Sequence, residues 1–133
     1  MRKKILVVED DPDLVELLSF NLRACDFAVS TADDGVDALK KTRCIMPDLI
    51  LLDLMLPELD GFGVCETLRR DPATAGIPII MLTAMSSQFA RLAGLEAGAN
   101  DYITKPFSPK QLIARVQELL GQNAMQPAAS QVA

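Results

Sequence analysis

Four short strand-like runs in this chain are each closed by residues that carry chemistry. ILVV (5–8) is followed by Glu9 and Asp10, LILL (49–52) by Asp53, PIIML (78–82) by Thr83 and DYIT (101–104) by Lys105. A short, continuously apolar run fits a strand covered on both faces, which is the usual state of a parallel strand. Parallel strands laid side by side bring their carboxyl ends to one edge of the sheet. Three carboxylates, a hydroxyl and an ammonium then converge on one crevice. Such a group suits a divalent cation and a phosphoryl group.

Helical patterns fill the intervals. Asp11-Pro12 is an N-cap followed by proline at the first helical position, and Leu14, Leu17, Leu18 and Leu22 form its apolar stripe. FAVSTA (27–32) reads as a second strand, and Asp34-Gly35 opens a helix with Val36, Ala38 and Leu39 that ends before Met46-Pro47. Leu56-Pro57 to Asp60-Gly61 is a loop leading into a third helix with Val64, Cys65 and Leu68. A strand at 78–82 precedes a helix over roughly 86–97, stopped by Gly98, and a short strand at about 101–103. Ser108-Pro109-Lys110-Gln111 fits a capping box, and Leu112, Ile113, Val116, Leu119 and Leu120 make the last stripe before Gly121.

Five alternations of strand and helix predict an α/β fold with a five-stranded parallel sheet. Right-handed crossovers favour the doubly wound order 2-1-3-4-5. Strands 1 and 3 are then neighbours where the winding reverses, and ligands bind outside their carboxyl ends. Asp10 and Asp53 fall there. One domain is expected over 1–121, with 122–133 a flexible tail or the start of a linker.

Composition removes several function classes. The 133 residues include no histidine, which excludes Ser–His–Asp and Cys–His catalysis and histidine-ligated zinc. A net charge of −5 argues against nonspecific nucleic-acid binding. Cys25, Cys44 and Cys65 are odd in number and isolated, consistent with free thiols in a reducing cytoplasm. No segment approaches the roughly 20 apolar residues needed to span a bilayer, so no membrane role is expected.

VVEDD (7–11), LLDLMLPELDG (51–61), MLTA (81–84) and DYITKPF (101–107) together resemble the receiver domains of two-component response regulators. The likeness covers 3–120 and is nearest to receivers of the winged-helix transcription-regulator class, with a flavodoxin-like (βα)5 fold. It implies a phosphorylation-controlled switch in which Asp53 accepts a phosphoryl group from a histidine kinase or phosphotransfer protein. Mg2+ or Mn2+ would be held by Glu9, Asp10, Asp53 and the Met55 backbone carbonyl. Lys105 would grip a phosphate oxygen, its ammonium aimed by a cis bond to Pro106. Thr83 and Tyr102 would pass the signal to a face formed by the fourth helix, fifth strand and fifth helix. Arg91, Glu96, Asp101, Lys110 and Arg115 match charged positions of a dimer face there, whereas Asn100 and Gln111 stand where acids are common. The departures predict a mostly monomeric protein without phosphate, and the resemblance leaves open a self-dimer on phosphorylation and implies no direct DNA contact from this domain. It also implies a switch catalysing only its own phosphorylation and dephosphorylation. Met55 and Met85 replace the polar residues of fast-turnover receivers, which predicts slow loss of the phosphoryl group.

Other readings stay open at this stage. Asp53 could be a solvated loop aspartate, Thr83 a strand-end threonine, Lys105 a surface lysine and Tyr102 a half-buried strand residue. A magnesium-dependent phosphohydrolase with an aspartate nucleophile would need an acid two residues after Asp53, where Met55 stands. A flavodoxin-like cofactor binder would need a Ser/Thr/Gly-rich loop after the first strand, where Glu9-Asp10-Asp11-Pro12 stands. An interaction module with vestigial acids is the third alternative.

Overall fold

The computed structural model describes residues 2–121; the tail expected at 122–133 lies outside the described residues. Strands β1 (Lys4–Val8), β2 (Ala28–Ala32), β3 (Leu49–Leu52), β4 (Ile79–Thr83) and β5 (Asp101–Thr104) alternate with five helices. These are α1 (Pro12–Ala24), α2 (Gly35–Ile45), α3 (Gly61–Arg70), α4 (Gln88–Ala97) and α5 (Pro109–Leu119). Every pairing is parallel and the order is β2-β1-β3-β4-β5, as the alternation predicts.

The apolar runs are continuous because both sheet faces are covered. Leu6, Val8, Ile50, Leu52, Ile79 and Met81 pack on Ala38, Val64, Cys65, Leu68 and Ala90 from α2, α3 and α4. Their sequence neighbours Ile5, Val7, Leu49, Leu51, Ile80 and Leu82 point the other way, onto Leu18, Leu22, Leu112 and Val116 of α1 and α5. Each such side chain contributes about 1.5–3 kcal/mol when removed from water. β2, paired only with β1, is half-buried over most of its length.

Local chemistry fixes where each helix begins. Asp11, Asp34, Asp60, Ser87 and Ser108 each accept a backbone N–H of the first turn through a side-chain oxygen. α4 begins at Gln88, two residues after the expected start, because Ser87 is its cap. Gly98 ends that helix at φ +118, a left-handed conformation that disfavours a side chain. β4 is displaced by one residue from its expected span. Pro78 has no N–H for the ladder, and Thr83 stays in it through its carbonyl, which accepts Lys105 N–H at 2.8 Å. Among the described residues no helix is long and apolar enough to cross a membrane.

Candidate functional site

The carboxyl edge of β1 and β3 carries the acids. Glu9 N–H donates to the Ala32 carbonyl at 3.0 Å and Asp53 N–H to the Val8 carbonyl at 3.0 Å, so both residues are pinned by backbone as the strands end. Both side chains are nearly buried, Glu9 at 3 % exposed and Asp53 at 5 %. Asp10, one residue on, points to solvent. Ligand oxygens of Glu9, Asp10 and Asp53 lie within 4.8 Å of one another. Asp53 Oδ1 accepts Met55 N–H at 3.1 Å, which turns the following loop back over the acid.

One cation pairs with two of these three acids. Lys105 Nζ donates to Glu9 Oε1 at 2.9 Å and to Asp53 Oδ2 at 3.3 Å. It reaches them from the end of β5, past a cis Lys105–Pro106 peptide. Burial pushes the Glu9 carboxyl up from its ordinary range; the Lys105 hydrogen bond opposes this, and the Asp53 charge adds to it. For Lys105, burial works downward, yet its bond to Glu9 and the charges of Asp53 and Glu9 hold the ammonium above its usual value. A surplus of hard oxygen donors with one shared ammonium fits Mg2+ or Mn2+, which take carboxylates and keep several waters.

Thr83 and Tyr102 meet on one residue, Met85. The buried Thr83 Oγ1 accepts Met85 N–H at 3.3 Å, and the Tyr102 hydroxyl donates to the Met85 carbonyl at 2.6 Å. Tyr102 is buried at 2 % exposed, beyond the half-buried strand residue weighed above. Gly94 makes room for its ring: a Cβ there would lie 2.9 Å from Tyr102 Cδ2 and 2.8 Å from Met81 Sδ. Sequence reasoning missed Gly94, although an interior helix glycine is itself a sign of close packing. Met55 and Met85, two residues beyond Asp53 and Thr83, are 62 % and 38 % exposed at the rim.

The charged residues of the fourth helix, fifth strand and fifth helix are not one free set. Arg115 pairs with Asp101 inside the protomer and also with Glu118 at 2.8 Å. Arg91 Nη1 donates to the Tyr102 carbonyl at 3.0 Å, with its guanidinium 5.9 Å from the ring centroid. Glu96 and Lys110 are exposed. Asn100 Oδ1 turns back to accept from Arg69 and from Ile79 N–H, a role its place beside Asp101 does not reveal.

A family model described as the response regulator receiver domain matches residues 5–117. The chain belongs to that family. Receivers of two-component response regulators are signalling switches phosphorylated on an aspartate. The DNA-binding response regulator MtrA of Mycolicibacterium smegmatis is 49 % identical to this receiver over 128 residues, covering 96 % of the chain and 55 % of MtrA. The alkaline phosphatase synthesis transcriptional regulatory protein PhoP of Bacillus subtilis is 52 % identical over 120 residues, covering 90 % of the chain and 49 % of PhoP. The receiver thus spans about half the length of these relatives, which belong to the winged-helix class. Among solved structures, the receiver domain of the Pseudomonas aeruginosa sensor histidine kinase PA1611, crystallised with magnesium in its active-site cleft, matches with a TM-score of 0.84. It is 35 % identical, and the match covers 91 % of this chain and 99 % of that one.

Proposed function

We propose that Asp53 is the phosphoacceptor of this receiver and that Glu9, Asp10, Asp53 and the Met55 carbonyl hold the Mg2+ or Mn2+ that the transfer requires. The supporting observation is the buried Asp53 carboxylate at the sheet edge, with Glu9 and Asp10 oxygens within 4.8 Å and Lys105 Nζ 3.3 Å away. An Asp53 oxygen attacks the donor phosphorus while the bond from phosphorus to the donor nitrogen or oxygen breaks, leaving an acyl phosphate. A bound divalent cation supplies charge neutralisation for the incoming phosphoryl oxygens. Lys105, already between Glu9 and Asp53, takes a phosphoryl oxygen as a point charge. Thr83 Oγ1 leaves Met85 N–H and donates its hydroxyl proton to another. Because Tyr102 holds the carbonyl of the same Met85, that exchange acts directly on the segment entering α4.

The donor class is a histidine kinase, a phosphotransfer protein or a small acyl phosphate. The output face is α4–β5–α5, where Arg91, Glu96, Asp101, Lys110 and Arg115 serve a self-dimer formed on phosphorylation. Regulation of DNA binding, as the name of MtrA states for that protein, would be exerted through a further domain. A phosphohydrolase has no support at Met55, an exposed apolar side chain where its proton donor would stand. The test is intact-mass measurement after acetyl phosphate treatment, with and without Mg2+, for wild type and Asp53→Asn. A gain of one phosphate is expected only for wild type with metal; an equal gain in Asp53→Asn removes Asp53 from the role.

A further inference from the structure

The loop between Asp53 and Gly61 is gripped from two sides at Leu59. Gly35, the first residue of α2, lies so close that a Cβ there would sit 1.9 Å from the Leu59 carbonyl oxygen and 2.8 Å from Leu59 Cβ. On the other side, in the first turn of α3, a Cβ on Gly63 would meet Leu59 Cδ1 at 2.6 Å. Within the loop, Gly61 N–H donates to the Leu54 carbonyl at 3.0 Å, and Glu58 adopts φ 69. Gly35 is fixed in turn, because Asp34 Oδ1 accepts Asp37 N–H at 2.7 Å and caps the helix. A cleft beside the loop is lined by Asp10, by Asp34 and Val36, which flank Gly35, and by Pro57 and Glu58.

Resting on the metal reading above, we propose that Gly35 is a positioning residue for the divalent cation. By letting α2 sit directly against the Leu59 peptide, it sets the height of the 54–60 loop and so aims the Met55 carbonyl at the site. Nothing in Gly35's own torsions requires glycine; the requirement is the absence of a Cβ facing a backbone atom. An alanine, its Cβ 1.9 Å from the Leu59 oxygen, would need backbone movement of about 1.6 Å to reach an ordinary contact of about 3.5 Å. Groups that orient a metal's ligands typically matter 10–100-fold in affinity.

The test titrates Mn2+ alone into the protein, without phosphodonor, and counts free Mn2+ by electron paramagnetic resonance. Gly35→Ala is expected to bind about tenfold more weakly than wild type or worse. Ala38→Gly, which loosens the same helix without adding bulk at Leu59, stays within about twofold. In phosphorylation by acetyl phosphate, Gly35→Ala raises the half-saturating Mg2+ concentration and leaves the rate at saturating Mg2+ close to wild type. Wild-type Mn2+ affinity in Gly35→Ala, or an equal loss in Ala38→Gly, overturns the proposal. If Gly35→Ala does not fold in plain buffer, both proteins are titrated in sucrose, which favours the folded state: Mn2+ binding about tenfold weaker than wild type in the same sucrose is expected, and wild-type affinity overturns the proposal. A wild type that binds no Mn2+ instead defeats the metal reading itself, and this inference falls with it.

Discussion

β4 and β5 end in two polar clusters of opposite character. At their amino ends, Arg69 donates to the carbonyls of Gly98 at 3.0 Å, Ala75 at 3.1 Å and Ile77 at 2.8 Å, and to Asn100 Oδ1 at 3.0 Å. Asn100 Oδ1 also accepts Ile79 N–H at 2.9 Å. One guanidinium thus ties the end of α3, the following loop, the end of α4 and the starts of both strands, with no carboxylate among these contacts. At the carboxyl ends, Glu9, Asp10 and Asp53 crowd together, and the single ammonium of Lys105 pairs with Glu9 and Asp53. The first cluster uses four of the guanidinium's five N–H donors and has little reason to rearrange. The second has negative charge to spare, which leaves room for a cation and a phosphoryl group; burial, with the Asp53 charge adding to it, raises the Glu9 proton affinity. A polar network whose donors are largely paired holds a fold; one that is under-compensated in charge is where a ligand is expected.

Exchanging the two cations sharpens that contrast most. Lys105→Met is expected to slow Asp53 phosphorylation by acetyl phosphate about 100-fold or more, because charge stabilisation at the transferring group is lost. Arg69→Met is expected to lower unfolding free energy by about 3 kcal/mol in urea titrations while phosphorylation per folded molecule persists. If Arg69→Met instead abolishes phosphorylation in protein that remains folded, the division of labour between the two edges is wrong.

Two smaller effects test how the carboxyl edge is tuned. Met55→Asn is expected to shorten the phosphoryl lifetime about tenfold, since a polar group then faces the hydrolytic water; loss of label on a timescale of seconds in wild type contradicts the premise. The last effect is one of pH. Glu9 has a folded pKa above its ordinary 4.5, so its stabilising contribution is complete below that value and is lost as pH rises through the folded value. Without metal, Glu9→Gln and wild type should therefore converge in stability below about pH 4.5, with the variant gaining on wild type as pH rises. Urea midpoints across that range check it, and a gap that closes with rising pH reverses the sign.

Much of the fold was legible locally. Continuous runs such as LILL mark strands covered on both faces, and Asp11, Asp34 and Ser108 mark helix starts by hydrogen bonds that close within one turn. Boundaries moved at β4, where the partner strand decides them at Pro78 and Thr83, and at the start of α4, where Ser87 rather than its neighbour is the cap. The acids were legible as candidates because each follows a strand directly. Their company was less so. Asp101 and Arg115 lie 14 residues apart and pair with each other, and Asn100 faces Arg69 rather than outward. Gly94 beneath the Tyr102 ring and Gly35 against Leu59 left no signal beyond an ordinary glycine in a helical segment.

The sequence by itself determined the alternating elements, the strand-end chemistry and the exclusion of histidine-based mechanisms, because periodicity, capping and residue type act over a few neighbours. Only the tertiary structure decided that Lys105 stands between Glu9 and Asp53, that Thr83 and Tyr102 bond to the same residue, Met85, and that Arg69 closes the opposite edge. The reason is distance along the chain. Lys105 and Glu9 are separated by 96 residues, and only the register of a five-stranded sheet brings them to 2.9 Å.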